Sequence, residues 1–285
     1  MEWKGGAEHG GIRLALEEVG NRREAAVVTI ARHHRRNAMD WGAIDAFRSV
    51  LTYLSMRCAA EAEMNDEGEL RLCSVVVTGE GSAFCSGGDV KALTGGAKSA
   101  EDLHLTVEDS RRLVTSMTAA LLLLERMPVL TIAAVNGAAR GGGCELLLAC
   151  DLRLVAPAAT LSFVQVQQGI TTAWGGMHRL RRLVGPGKAA ELLLLAPVLD
   201  AAAAKEAGLA NAVAAEGARA GALAWARRAA AFSLPAVAAM KHGLRAAHSR
   251  EEAAAFELQA LEQLWPSREH AAAVAAFLNK TAPRL

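Results

Sequence analysis

Three glycine turns, one carboxylate and one amide carry the chemistry legible in this chain of 285 residues. The first turn is Gly141-Gly142-Gly143, behind the apolar run Val129 to Val135 and an Asn136-Gly137 turn, and ahead of a helix-forming run that holds Glu145. A buried strand, a glycine turn and a helix start form an anion site, because the first helical amides lack partners and the dipole favours negative charge. Glycine also lets a ligand oxygen approach the backbone. The chemistry would be stabilisation of a developing oxyanion. A second close-approach turn, Ser86-Gly87-Gly88-Asp89, follows the buried strand expected over Leu72 to Gly81. A third, Trp174-Gly175-Gly176, follows a stretch dense in amide side chains, Gln165, Gln167 and Gln168. Any one such turn equally permits close helix–strand packing, so the reading rests on their agreement.

Other reactive residue types have plainer roles. Ser86 is not in a G-x-S-x-G elbow, which argues against a serine nucleophile. Cys85 has no activating partner nearby in sequence and reads as a small buried thiol. Asp89 suits a helix cap, and His178 a surface or capping position. The basic loop His33 to Asp40 is either a solvated turn or a place where a phosphorylated ligand meets arginine and backbone.

The elements that must hold these residues follow from periodicity. Ala25 to Arg32 and Asp151 to Ala156 read as strands, preceded by a frayed start and an early edge strand within residues 1–24. Trp41 to Cys58, Ser110 to Arg126, 177–195 and Arg268 to Lys280 read as helices. Residues 59–70 are expected to extend a helix into an exposed loop, and Gly95 to Asp109 to form a polar surface segment. Past Pro197 helices alternate with one short apolar run, Leu209 to Val213. Strand–helix alternation followed by a helical tail indicates an α/β fold with a C-terminal helical extension.

Bulk properties exclude several classes. With 52% hydrophobic and 21% charged residues the chain can build a large core and is not disordered. A net charge of +1 argues against nucleic acid and anionic membrane as partners. The five cysteines form no CxxC pair and no metal spacing, so no metal site and a reducing compartment are expected. No apolar run reaches the roughly 20 residues that span a bilayer. The start of the sequence has no apolar secretory region, so a cytoplasmic or mitochondrial-matrix location is expected.

The ordered stretches RRNAMD (35–40), TGEGSAFCSGGDVKAL (78–93), AAVNGAARGGGCELLLACDLRLVAP (133–157), QGITTAWGGMHRLRRLVG (168–185) and AAFLNK (275–280) together resemble the crotonase superfamily, the enoyl-CoA hydratase/isomerase fold. The likeness spans roughly residues 20–281. It implies a spiral of ββα repeats with a C-terminal helical trimerisation region, assembled as a trimer or dimer of trimers. The expected division is 1–200 for the spiral core with the acyl-CoA site and 201–285 for the helical region. The implied ligand is an acyl-CoA thioester. Coenzyme A is then part of the substrate and no separate cofactor is expected. The resemblance maps the two oxyanion-hole amides to Gly88 and Gly142 and the first catalytic glutamate to Glu145. Substrate-binding positions are expected at Arg36, Ala38, Ser86, Lys91, Trp174, Phe277 and Lys280.

The second glutamate of typical hydratases falls at Gln165, an amide that cannot shuttle a proton at neutral pH. The stretch SFVQVQQGITTAWGG is instead similar to the ethylmalonyl-CoA and methylmalonyl-CoA decarboxylase branch, where that glutamate is also replaced. The expected activity is therefore loss of CO₂ from a malonyl-type thioester. Gln165 would orient the carboxylate, Trp174 would desolvate it and Glu145 would protonate the enolate. The alternatives are an enoyl-CoA hydratase or isomerase with a single glutamate, and a non-catalytic acyl-CoA-binding protein.

Overall fold

The computed structural model describes residues 3, 6–63, 70–93, 106–246 and 249–281. Its strands in chain order are β1 (Glu8–His9), β2 (Ile12–Gly20), β3 (Arg23–Ile30), β4 (Arg71–Gly79), β5 (Ala83–Cys85), β6 (Leu130–Val135), β7 (Ala138–Arg140), β8 (Leu152–Val155), β9 (Thr160–Ser162), β10 (Leu199–Asp200) and β11 (Ala212–Val213). The helices are α1 (Trp41–Glu63), α2 (Val90–Leu93), α3 (Val107–Arg126), α4 (Gly142–Leu147), α5 (Gly176–Leu194), α6 (Ala201–Glu206), α7 (Ala218–Ala229), α8 (Leu234–Ala246), α9 (Arg250–Leu264) and α10 (Arg268–Leu278).

The strands divide between two sheets, ordered β1-β2-β3-β4-β6-β8-β11 and β10-β9-β7-β5. From β4 to β9 successive strands alternate between them: β4, β6 and β8 enter the large sheet, and β5, β7 and β9 the small one. Each pair of strands followed by a helix is one step of a spiral, which is the α/β architecture expected. Strands β3, β4, β6 and β8 run parallel, and apolar groups cover both of their faces. Val75, Val77, Ala133 and Val135 enter one core with α1 and α3, while Val76, Ile132 and Ala134 enter a second core under α7. Burial on both faces explains why β4 and β6 read as nearly continuous apolar runs rather than alternating ones.

Several boundaries differ from the sequence expectation. α3 starts at Val107 rather than Ser110, because the Thr106 side chain accepts from the Asp109 amide at 3.0 Å and caps it. The rest of the surface segment expected over Gly95 to Asp109 lies outside the described residues, as does the exposed loop beyond Glu63. The helix expected over 177–195 is two helices meeting at Gly185 (φ 79°), with Pro186 opening the second. The division at residue 200 is not a packing boundary: β11 joins the large sheet, and Ala204, Leu209, Ala222 and Ala226 enter the two cores.

Candidate active site

The small sheet brings the three glycine and amide stretches together. β5, β7 and β9 are parallel neighbours, with Cys85 opposite Ala139 and Arg140 opposite Ser162. Residues just past their C-terminal ends must therefore lie side by side, the usual ligand position of a parallel sheet. These residues are Ser86–Asp89 after β5, Gly141–Gly142 after β7 and Gln165 after β9.

The contacts bear this out. A Cβ placed on Gly87 would lie 3.1 Å from the Gly142 amide nitrogen, so the two turns abut. A Cβ on Gly141 would lie 3.8 Å from the Gln165 side-chain carbon. Gly142 opens α4, so its N–H has no intrahelical acceptor. Met39 is bridged to Gly88 through the bonds Met39 N–H to Gly87 O and Asp89 N–H to Met39 O, which leaves the Gly88 N–H out of the pairing. Among the described residues neither the Gly88 nor the Gly142 N–H donates to a protein acceptor. Both residues are half-buried between buried neighbours, so the two amides stand where a ligand could reach them.

Glu145 faces inward from α4 and is 1% exposed. Its Oε1 accepts from Gln165 Nε2 at 2.8 Å and from the Ala173 amide at 3.2 Å. Its Oε2 accepts from the amides of Trp174 at 2.7 Å and Gly176 at 2.8 Å. From the first turn of α4 the carboxylate thus reaches the start of α5, whose amides and dipole favour it. The bond to Glu145 fixes the Gln165 amide with Nε2 toward the carboxylate. Gln165 Oε1 is buried and has no partner among the described residues.

Trp174 closes one side. Its ring lies over Gly142, where any Cβ would come within 2.6 Å of Cζ3. Glycine at 142 is therefore required by the indole as well as by access to the amide. The loop His33–Asp40 borders the other side. Arg36 is exposed in a left-handed conformation (φ 51°), and its carbonyl accepts from the Ser86 amide at 3.2 Å. Ala38 is buried, and its carbonyl accepts from Arg32 Nη1. Arg32 also pairs with Asp40 at 2.5 Å and Asp89 at 3.4 Å, tying this loop to the Gly88 turn. Asp89 further caps α2 through the Ala92 amide at 3.2 Å. Lys91 is exposed on α2.

Phe277 and Lys280 stand apart, at the end of α10, with Phe277 82% exposed. Among the described residues neither makes a polar or ring contact with the Gly88–Gly142 cluster. His178 is exposed on α5, and burial pushes the Cys85 and Cys144 thiols up to about 12, so neither sulfur is a nucleophile at neutral pH.

Sequence reasoning missed Arg32, Asn37, Glu125 and Arg179. Asn37 is fully buried, and its Nδ2 donates to the Glu80 and Ala83 carbonyls at 2.9 and 2.7 Å. Arg179 holds the Trp174 carbonyl with Nη1 at 2.6 Å. On their helices Glu125 and Arg179 look like surface charge, and local spacing carries no signal of their partners.

A model of the enoyl-CoA hydratase/isomerase family matches residues 20–285. A Mycobacterium leprae protein named as a probable enoyl-CoA hydratase is 31% identical over 90% of this chain and 94% of its own. The ethylmalonyl-CoA decarboxylase of Gallus gallus is 36% identical over 135 residues, which cover 47% of this chain and 43% of the relative. Among solved structures, an enoyl-CoA hydratase from Bacillus anthracis superposes with a TM-score of 0.81 at 26% identity, covering 95% of this chain and 97% of that one.

Proposed function

This chain belongs to the enoyl-CoA hydratase/isomerase family and is an acyl-CoA enzyme of the crotonase superfamily; within it, we propose a decarboxylase of malonyl-type thioesters, methylmalonyl- or ethylmalonyl-CoA. One observation carries this reading. The carboxylate beside the Gly142 turn is occupied by four donors, and the neighbouring side chain that could have paired with it is an amide. Two-glutamate water activation has no second carboxylate here. Loss of CO₂ needs no base, only a place for the electron pair it leaves behind.

In the proposed reaction the thioester oxygen accepts from the Gly88 and Gly142 N–H groups. The bond from Cα to the carboxylate carbon breaks, its electron pair forms the enolate, and neutral CO₂ departs. Donors already aimed at the enolate oxygen lower the barrier because they need no reorganisation. Trp174 keeps water from the carboxylate, which favours the neutral product. Gln165 Oε1, a buried acceptor, seats a water by taking one of its protons in a hydrogen bond. That water transfers its other proton to Cα. The hydroxide formed combines with CO₂, so thioester carboxylate and water become the shortened acyl-CoA and bicarbonate. Glu145 then acts by fixing the Gln165 amide and the Trp174 turn, in place of the enolate protonation expected from sequence.

Arg36, Ala38, Ser86 and Lys91 are proposed to border the CoA moiety. Phe277 and Lys280 are proposed to reach the CoA bound by a neighbouring copy in a trimer or dimer of trimers. The exposed apolar side chains Leu258, Leu261, Trp265 and Leu278 on and beside α9 and α10 support that assembly. Sedimentation at the mass of one chain would contradict it.

A hydratase or isomerase using Glu145 alone is the second reading, supported by the hydratase name of a relative aligned over 90% of this chain. Incubation with methylmalonyl-, ethylmalonyl- and crotonyl-CoA separates the readings. Bicarbonate or CO₂ release from the first two supports decarboxylation. Hydration of crotonyl-CoA alone supports the second reading, and tight binding without turnover indicates an acyl-CoA-binding protein.

A further inference from the structure

The turn that carries Trp174 is held from both ends. Its N–H donates to Glu145, and its carbonyl accepts from Arg179 Nη1 at 2.6 Å. Arg179 is in turn gripped by Glu125 of α3, with Nε and Nη2 donating to one carboxylate oxygen at 3.0 and 2.9 Å. The other Glu125 oxygen pairs with Arg245 of α8 at 2.5 Å, and Arg245 pairs with Asp151 at 2.7 Å. Asp151 also takes Lys241 of α8 at 2.7 Å and the Thr131 amide at 2.8 Å. An unbroken run of charges therefore links helix α8 to the residue that covers Gly142.

We propose that Glu125 and Arg179 are positioning residues: their ion pair sets the Trp174 indole against Gly142 and transmits the docking of α8 to the acyl site. The geometry asks for an arginine. One planar guanidinium spans a carboxylate and a backbone carbonyl at once, which the single point charge of a lysine does not. Stability alone does not account for the pair. Side chains only 9% and 19% exposed give up much hydration, and apolar pairs of similar volume often replace buried ion pairs without loss of stability. What apolar replacements lose is the grip on the carbonyl. The inference needs only the position of Trp174 and stands whichever thioester is turned over.

The test uses full-length protein labelled with 5-fluorotryptophan, whose five tryptophans give separate fluorine resonances. Trp174→Phe assigns the one of interest. The double variant Glu125→Leu/Arg179→Met removes both charges together, and Arg179→Lys is the milder companion should the double variant fold poorly. Expected is a shift or broadening of the Trp174 resonance alone in both, and a smaller shift of the same resonance in Arg245→Met. Acetoacetyl-CoA, whose enolate absorbs in the near ultraviolet, reports on the acyl site. Its enolised fraction when bound should fall about 10- to 100-fold in the double variant, as expected for a misplacement near 1 Å, while affinity for free CoA is kept. A Trp174 resonance that superposes on wild type in both Arg179 variants overturns the proposal. If wild type itself enolises no acetoacetyl-CoA, the oxyanion reading fails, and the fluorine spectra still decide this inference.

Discussion

The hydrogen bond between Gln165 and Glu145 decides which end of the amide is left for substrate. With Nε2 committed to the carboxylate at 2.8 Å, the free group is an acceptor, which suits a water or hydroxyl and opposes a carboxylate. The sequence showed that an amide replaces the second glutamate, but not the direction in which it points. That direction depends on four donors converging from residues 165–176, a feature of the folded turn rather than of spacing. Gln165→Glu would place two carboxylates within hydrogen-bond reach, where like-charge repulsion favours one proton shared by the pair. The variant is expected to gain crotonyl-CoA hydration, with a rate that rises and falls with pH as that proton is gained and lost. A product profile identical to wild type would place residue 165 away from the acyl group.

At the scale of elements, the site is a property of the small sheet. The apolar runs of β4 and β6 were legible because both their faces are buried, whereas β5, β7 and β9 are three residues each and announce themselves only by the turns that follow. The break in α5 is signalled by Gly185-Pro186 and the early start of α3 by Thr106, but helical periodicity runs on through both stretches and hides them. The contact between α4 and the Trp174 turn was not legible, since nothing in a GGG run names the ring that lies on it. That contact yields a prediction. Gly142→Ala keeps the amide but drives a methyl into the indole, at 2.6 Å from Cζ3. Rigid backbone and ring leave no cheap relief, so the Trp174 turn should move. Enolisation of bound acetoacetyl-CoA should fall about 100-fold, the scale of a misplacement near 1 Å. Near-wild-type enolisation would mean that the indole does not set the site.

For the whole molecule, the buried thiols set an alkaline limit. Burial pushes Cys85, Cys144 and Cys150 up to about 12 from an ordinary value of 9.0. Between those values the unfolded chain releases thiol protons that the folded chain keeps, so unfolding is increasingly favoured as pH rises. Denaturation midpoints should therefore fall steadily from about pH 9 upward. They should fall less in a Cys150→Ala variant, and a midpoint with the same pH dependence in that variant would contradict the assignment. Among the described residues no helix is long and apolar enough to cross a membrane. In the proposed reaction two main-chain amides from separate turns share one thioester oxygen. The most direct measurement compares Gly88→Pro with Gly88→Ala: alanine keeps the N–H and its side chain meets only the flexible end of Leu93 at 2.9 Å, whereas proline removes the N–H and also fixes φ and restricts Gly87. Enolisation of bound acetoacetyl-CoA is predicted to be about 100- to 1000-fold lower in the proline variant than in the alanine variant, with CoA affinity alike in both. Equal enolisation in the two would contradict the account.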